Sequence, residues 1–323
     1  MYDKRVNPLR MVVHRPEIDY KQLKTNWNEA KITHVGDGCK RIAVNVSGTC
    51  GTDITWTLDD AGNIVLTGSG SMENYSYTGP WETKVKTVKM SEGITTIGDA
   101  AFRFNELLTS IEMPSTLTTI GSGSFNECKS LADVTIPDNV TTIVDYAFQY
   151  CEALTEVVIP NVVTKIGYRA FAFCTNLKTV TIGSSVTGII NSAFRDVSLT
   201  KILSLATTPP KIASGTFQGT DVNTCIVEVP KGSVDAYKAR IYWGNFANIV
   251  EYGGIDGVTA DDGVTVRVDG GAIAVDGASD ASMEVYSISG VVVYRGVAAT
   301  VTVPTSGMYI VRVAGTTAKV VVR

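Results

Sequence analysis

The sequence predicts a mainly β solenoid with short helical turns, followed by a small β-sandwich. Phe102, Phe125, Phe148, Phe171, Phe194 and Phe217 recur every 23 residues without an insertion. Between them, apolar positions fall two apart, the spacing that puts side chains on one face of a strand. After Glu251 the composition shifts to Gly, Asp and Ala, and then to short strand-like runs separated by Ser-Gly and Arg-Gly turns. A unit this short cannot bury its own apolar face. It does so only against its copies, so each unit is one coil of a stack.

Aligned on the phenylalanine, the units show their elements in order. Leu108, Leu131, Leu154 and Leu177 share a column, followed by Ile111, Val134, Val157 and Val180 and then by Met113, Ile136, Ile159 and Ile182. The last two columns define a first strand, which Pro114, Pro137 and Pro160 close because proline cannot donate to a ladder. A second short strand runs from Ile94, Leu117, Val140, Val163 and Val186 to Ile97, Ile120, Ile143, Ile166 and Ile189. The small residue before each aromatic, such as Ala101 or Ala147, suits a tight helical turn over the core. Val85, Val88 and Met90 fall in phase and extend the pattern backwards.

The unit Leu131-Ala-Asp-Val134-Thr-Ile136-Pro137, then Val140-Thr-Thr-Ile143, then Ala147-Phe148-Gln-Tyr-Cys151 resembles the BspA-type, or Treponema-type, leucine-rich repeat of bacterial surface proteins. Ser47-Gly-Thr-Cys-Gly51, Trp56-Thr-Leu58 and Gly68-Ser-Gly70 resemble the β-rich segment that precedes such repeats. Pro209-Pro210 and Val229-Pro230 through Tyr237, Trp243 and Phe246 resemble the closing cap. The resemblance implies a right-handed solenoid of the α/β horseshoe class. At the end of the chain, Val285-Tyr286, Ser289-Gly290, Gly307-Met-Tyr-Ile-Val311 and Lys319-Val-Val-Val-Arg323 resemble the sorting domain of type IX secretion cargo, which implies export to the cell surface. The resulting division is an N-terminal extension over 1–39, a β-rich cap over 40–82, a solenoid with its cap over 83–252 and a sandwich over 253–323.

Composition narrows the function. The 323 residues are 44% apolar and 19% charged, enough for a large core or for two to three domains in series. A net charge of −4 gives no electrostatic reason to bind nucleic acid. No apolar run reaches the roughly 18 residues that cross a bilayer. Residues 1–28 carry charges throughout and no apolar stretch, so no secretory leader is read in them; an exported product then implies a leader upstream or another route. Val35-Gly-Asp-Gly38 before Cys39 lacks the apolar run of a lipoprotein signal.

Catalytic constellations are not evident, and no cofactor or metal is expected. His14 and His34, the only histidines, lie outside the repeats and are read as solvated. Asp261, Asp262, Asp269, Asp276 and Asp280 lack the alternating ligand order of a calcium loop and are read as solvated carboxylates. Gly68-Ser-Gly70 is not followed by the Gly-Lys of a phosphate loop. Cys128, Cys151 and Cys174 are one repeat apart and stack in a column, a geometry that does not make the tetrahedral cage zinc prefers. They are read as buried free thiols acting as small hydrophobes. Cys39 and Cys50 are 11 apart across an expected hairpin, where an exported protein could bridge them; Cys225 has no obvious mate.

The resemblance implies a non-enzymatic repeat protein, secreted or at the cell surface, mediating adhesion or ligand recognition. The candidate binding face is the outward side of the first-strand sheet: Lys89, Glu112, Asp133, Thr135, Glu156, Thr179 and Thr181. It is polar, mixed in charge and free of aromatics, so the stacking platform typical of sugar binding is missing; the resemblance implies host or bacterial surface proteins or extracellular-matrix ligands as partners, with a glycan possible and nucleic acid not. The threonines from Thr95 to Thr187 are read as solvent-facing strand formers, and Phe104, Tyr150 and Phe173 as an aromatic stripe half-buried over the turn. Alternatives are a spacer displaying a terminal module, a glycan-active enzyme with its site in the cap, and a component of a virion or secretion particle docked through residues 1–38.

Overall fold

The computed structural model describes residues 45–251 without a break and, between 257 and 322, eight strands with residues 282, 297 and 303. Residues 1–44, among them His14, His34 and Cys39, lie outside the described residues.

The described chain opens with an antiparallel meander of β1 (Val46–Thr49), β2 (Asp53–Leu58) and β3 (Asn63–Ser71). β2 alternates strictly, with Ile54, Trp56 and Leu58 buried and the residues between them exposed, as expected of a strand with one face on a core. β3 then changes partner along its length. Its first half runs parallel to β4 (Thr87–Met90) and its end runs parallel to β5 (Ile94–Ile97), so both strand columns of the solenoid start from one strand.

The second-strand column continues from β5 through β7 (Thr119–Ile120), β8 (Thr142–Ile143), β10 (Lys165–Ile166) and β12 (Gly188–Ile189), all parallel. The first-strand column comprises β4 and β6 (Ser110–Glu112), then β9 (Glu156–Val158), β11 (Thr179–Ile182), β13 (Lys201–Ser204), β14 (Ile226–Val229) and β15 (Asn248–Glu251). One expected strand is absent, because Asp133–Ile136 forms no ladder. Val134 and Ile136 are still buried and Asp133 and Thr135 still exposed, so the coil keeps its faces without its hydrogen bonds. The repeat would place Asp133 directly opposite Glu156. Like charges opposed across a ladder, with Asp a poor strand former, account for the gap.

The phenylalanines form one continuous ladder. Ring centroids are 5.5 Å apart for Phe102–Phe125, 5.2 Å for Phe125–Phe148, 5.3 Å for Phe148–Phe171 and 5.4 Å for Phe171–Phe194 and Phe194–Phe217, with interplanar angles of 5–10°. Trp81 starts the ladder, 4.9 Å from Phe102, and Trp243 and Phe246 close it against Phe217 at tilted and edge-on angles. Burying such a ring is worth roughly 1.5–3 kcal/mol by area, and stacking adds to it.

The turn over each phenylalanine is tight but is not a continuous helix. Bonds from residue i to i−3, such as Arg103 N to Ala100 O and Asn105 N to Phe102 O, alternate with bonds to the next coil, such as Phe102 N to Ser124 O and Phe104 N to Asn126 O. Two left-handed residues per turn impose the alternation: Ala100 and Phe104, Gly123 and Glu127, Tyr146 and Tyr150, Arg169 and Phe173, Ser192 and Asp196. Nine of these ten are not glycine, each an unfavourable conformation of about 1–2 kcal/mol that the inter-coil bonds hold in place.

The far end of the stack is sealed by α1 (Val234–Ala239) and a 3-10 turn at Trp243–Asn245. The Tyr237 hydroxyl lies 2.6 Å from Ser204 Oγ and donates to Ala206 O at 2.8 Å; the Trp243 indole donates to Pro210 O at 2.9 Å. Both rings are buried and both polar tips are satisfied.

Beyond lie two four-stranded antiparallel sheets. One has the order β16 (Gly257–Thr259), β17 (Thr265–Asp269), β18 (Ala272–Asp276), β21 (Thr300–Thr302); the other β20 (Val292–Gly296), β19 (Met283–Ser287), β22 (Gly307–Val313), β23 (Thr316–Val322). Val266, Ile273, Val275 and Val301 from the first meet Met283, Val285, Tyr309, Val311 and Val320 from the second in one core, separate from that of the solenoid. This is a β-sandwich.

Candidate recognition surface

The register of the first-strand column places its outward residues in two rows. One runs Asn63, Thr87, Ser110, then Glu156, Thr179, Lys201, Ile226 and Asn248; the other runs Val65, Lys89, Glu112, then Val158, Thr181, Leu203, Glu228 and Val250. Asp133 and Thr135 lie between the two segments. Of the seven predicted residues, Lys89, Glu112, Asp133, Thr135 and Glu156 are exposed and Thr179 is half-buried.

Thr181 is a correction: it is buried, at 8% exposure, although it points away from the core. Its neighbours across the ladder are Val158 and Leu203. At the roughly 4.8 Å spacing of strands these side chains cover one another. Leu203 is equally buried at 8% and Val158 is half-buried, so this end of the face carries a small apolar shelf.

The charges on the face sort into pairs and singles. Lys89 Nζ is 3.0 Å from Glu112 Oε2, and Lys201 Nζ is 2.8 Å from Glu228 Oε1. Both pairs are exposed enough to contribute less than about 1 kcal/mol each. Between them Asp133 and Glu156 have no ion-pair partner among the described residues. The middle of the face is acidic and borders the shelf. Lys201, Glu228 and Leu203 were not anticipated, because they sit where the Phe-anchored pattern shortens; the signal was the run Lys201-Ile-Leu-Ser204 in phase with Thr179-Val-Thr-Ile182 one coil earlier.

The other sequence-singled groups have structural roles. Cys128, Cys151 and Cys174 are free and fully buried, and each thiol donates to a phenylalanine carbonyl, Phe102, Phe125 and Phe148, at 3.2, 3.3 and 3.2 Å. Burial pushes all three thiol pKa values up, that of Cys174 to about 12. Cys50 is a free, buried thiol among the described residues, and Cys39, its considered mate, lies outside them; burial and the Glu73 charge push Cys50 up to about 12. Its backbone carbonyl accepts from Glu73 N at 2.8 Å. Cys225 is likewise free and buried, and burial followed by the Asp221 charge raises it to about 11.

The hydroxyls of Thr118 and Thr187 donate to the carbonyls of Thr95 and Thr164 one coil back, at 3.1 and 3.2 Å, which makes them part of the ladder. Phe104, Tyr150 and Phe173 are half-buried, with Tyr150 stacked on Phe173 at 4.6 Å and Tyr77, 62% exposed, against Phe104 at 4.9 Å. Asp276 is exposed on β18; Asp261, Asp262 and Asp280 lie outside the described residues.

Residues 71–201 match the family model of the BspA type leucine rich repeat region in six copies. The matched stretch, which is less than half of the chain, is similar to BspA-type repeats and runs from the end of β3 to the start of β13. No curated protein matches the chain. Among solved structures, the chain is similar to a leucine-rich cell surface protein from Faecalibacterium prausnitzii, with 21% identity, a TM-score of 0.39, and 72% of this chain and 59% of that one covered. It is also similar to a leucine-rich repeat protein from Eubacterium ventriosum, with 20% identity, a TM-score of 0.42, and 64% and 68% covered. A leucine-rich repeat protein of T. pallidum is similar at 23% identity and a TM-score of 0.39, over 48% and 84%. The chain thus spans 59% of the length of the first of these.

Proposed function

We propose that the protein is a non-enzymatic recognition module of the bacterial cell surface, and that its first-strand face engages a partner protein or extracellular-matrix ligand. The observation that carries this is the face itself: Asp133 and Glu156, uncompensated, lie between two neutralised ion pairs and beside the Val158, Thr181 and Leu203 shelf. A partner presenting a basic side chain next to an apolar one matches it in charge and polarity. BspA-type repeats supply the rigid array of coils on which such a face is built. Export to the surface follows the resemblance of the repeats and of the terminal strands, with residues 253–323 as a sorting module, residues 83–252 as the recognition domain with its cap, and 40–82 as the N-terminal cap.

Reversing Glu112, Asp133 and Glu156 together to lysine tests the reading. All three are exposed, so the melting temperature should stay within a few degrees of wild type while affinity for a partner captured from surface extracts falls at least tenfold. Each single reversal should do little. Wild-type affinity in the folded triple variant would place recognition elsewhere, with the Tyr150–Phe173 stripe next to be tested.

A further inference from the structure

The outward position of the second strand is Thr96, Thr119 and Thr142 in three successive coils, then Lys165, Gly188 and Lys211. Lys165 is in register with Gly188, and Gly188 bridges to Lys211. The two lysines therefore stand one ladder step, about 4.8 Å, on either side of a residue with no side chain. A Cβ added at Gly188 would meet nothing within 4 Å, and the space forms an open groove of about 460 Å³. Thr164, Thr187 and Asn191 give it polar walls and Ile190, Ile212 and Ala213 aliphatic ones; no carboxylate lines it. Neither Lys165 nor Lys211 has an ion-pair partner among the described residues. On a chain of net charge −4, this is a local concentration of positive potential over a concavity.

We propose that this groove binds an acidic saccharide unit, its carboxylate or sulfate held between the Lys165 and Lys211 ammonium groups and its ring lying across Gly188. Two cations flanking a single gap match one anionic group, not the extended track that a nucleic acid backbone needs. The lining mixes hydroxyl and amide groups with aliphatic carbon, as a pyranose mixes hydroxyls with C–H faces. The groove is open, so an internal unit of a polymer can cross it. It lies on the second-strand column and does not depend on the recognition face proposed above.

Calorimetry of the full chain at low ionic strength, with a galacturonate oligomer, a heparin-derived oligosaccharide and a neutral galactan, tests the proposal. At least one of the two acidic saccharides should bind and the galactan should not, and which of the two binds identifies the group as uronate or sulfate. Affinity should fall at least tenfold in Gly188→Asp, which fills open space with the wrong charge, and severalfold in Lys165→Gln and in Lys211→Gln. It should also fall as salt shortens the Debye length to about 8 Å. Thr119→Asp, on the same column two coils before Lys165, should change nothing. Circular dichroism confirms that each variant is folded. No binding by either acidic saccharide, equal binding of the galactan, equal binding of polyglutamate, acetate or sulfate alone, or unchanged affinity in folded Gly188→Asp would each overturn the proposal.

Discussion

The thiol of Cys151 donates to the carbonyl oxygen of Phe125, 3.3 Å away and 26 residues back along the chain. Two buried columns, sulfur and aromatic, are thereby tied to each other across neighbouring coils. The same bond joins Cys128 to Phe102 and Cys174 to Phe148. In the coil before, Asn105 takes the position: its amide donates to Phe102 O at 3.1 Å and its Oδ1 accepts from Val85 N at 3.0 Å. The position holds a small buried side chain throughout, Val197 included, and in the cysteine coils that side chain also satisfies a carbonyl.

Phe148 is the middle of the aromatic ladder, stacked at 5.2 Å on Phe125 and 5.3 Å on Phe171. Phe148→Ala should cost about 3–5 kcal/mol in urea unfolding, since its cavity opens between two coils that cannot collapse independently. A loss below about 1 kcal/mol would show that the ladder is not the core of the stack.

Cys128, Cys151 and Cys174 should resist thiol reagents in the native state and react on unfolding. Their folded pKa values are raised above the ordinary thiol value of about 8.5, so below that pH the folded and unfolded states bind these protons equally. As pH rises past it, the unfolded chain loses protons the native one keeps, and stability falls by about 1.4 kcal/mol per pH unit for each thiol. Urea midpoints from pH 8 to 11 in reducing buffer should slope downward, less steeply in the C128A/C151A/C174A variant. Equal slopes would mean that the thiols ionise in the native state.

Gly123 and Glu127 occupy the two left-handed positions of one turn, with φ of 58° and 65°. An added Cβ at Gly123 meets only Asn126 Cβ at 3.8 Å, an ordinary contact, so Gly123→Ala should lose about 1 kcal/mol from backbone conformation alone. Glu127→Gly should gain about 0.5–1 kcal/mol, because Lys129, its half-exposed partner, keeps its shorter ion pair to Glu106. Thermal melts of both variants read the opposite signs; a stabilised Gly123→Ala would contradict the strain.

The sandwich has its own core, so deleting residues 253–323 should leave a soluble chain with the melting temperature of the repeats within a few degrees. If residues 253–323 are the sorting module proposed above, the truncated protein should, in the native host and with a functional leader, be retained behind the outer membrane. Full surface display without these residues would remove the sorting role.

The 23-residue interval by itself determined the solenoid, because one repeated apolar pattern has one way to be buried, against its copies. It also determined the two strand columns, the phenylalanine ladder and the buried thiols, all of which depend on position within a coil. The tertiary structure decided what depends on neighbours across coils. Thr181 is buried because Val158 and Leu203 flank it, the coil at Asp133 carries no ladder where a register with Glu156 would oppose two carboxylates, and Gly188 becomes the floor of a groove because its neighbours across the ladder are Lys165 and Lys211. Each of those contacts joins residues about one repeat apart. Exposure and charge at such a position are set by the side chains above and below it, which the pattern of a single unit does not contain.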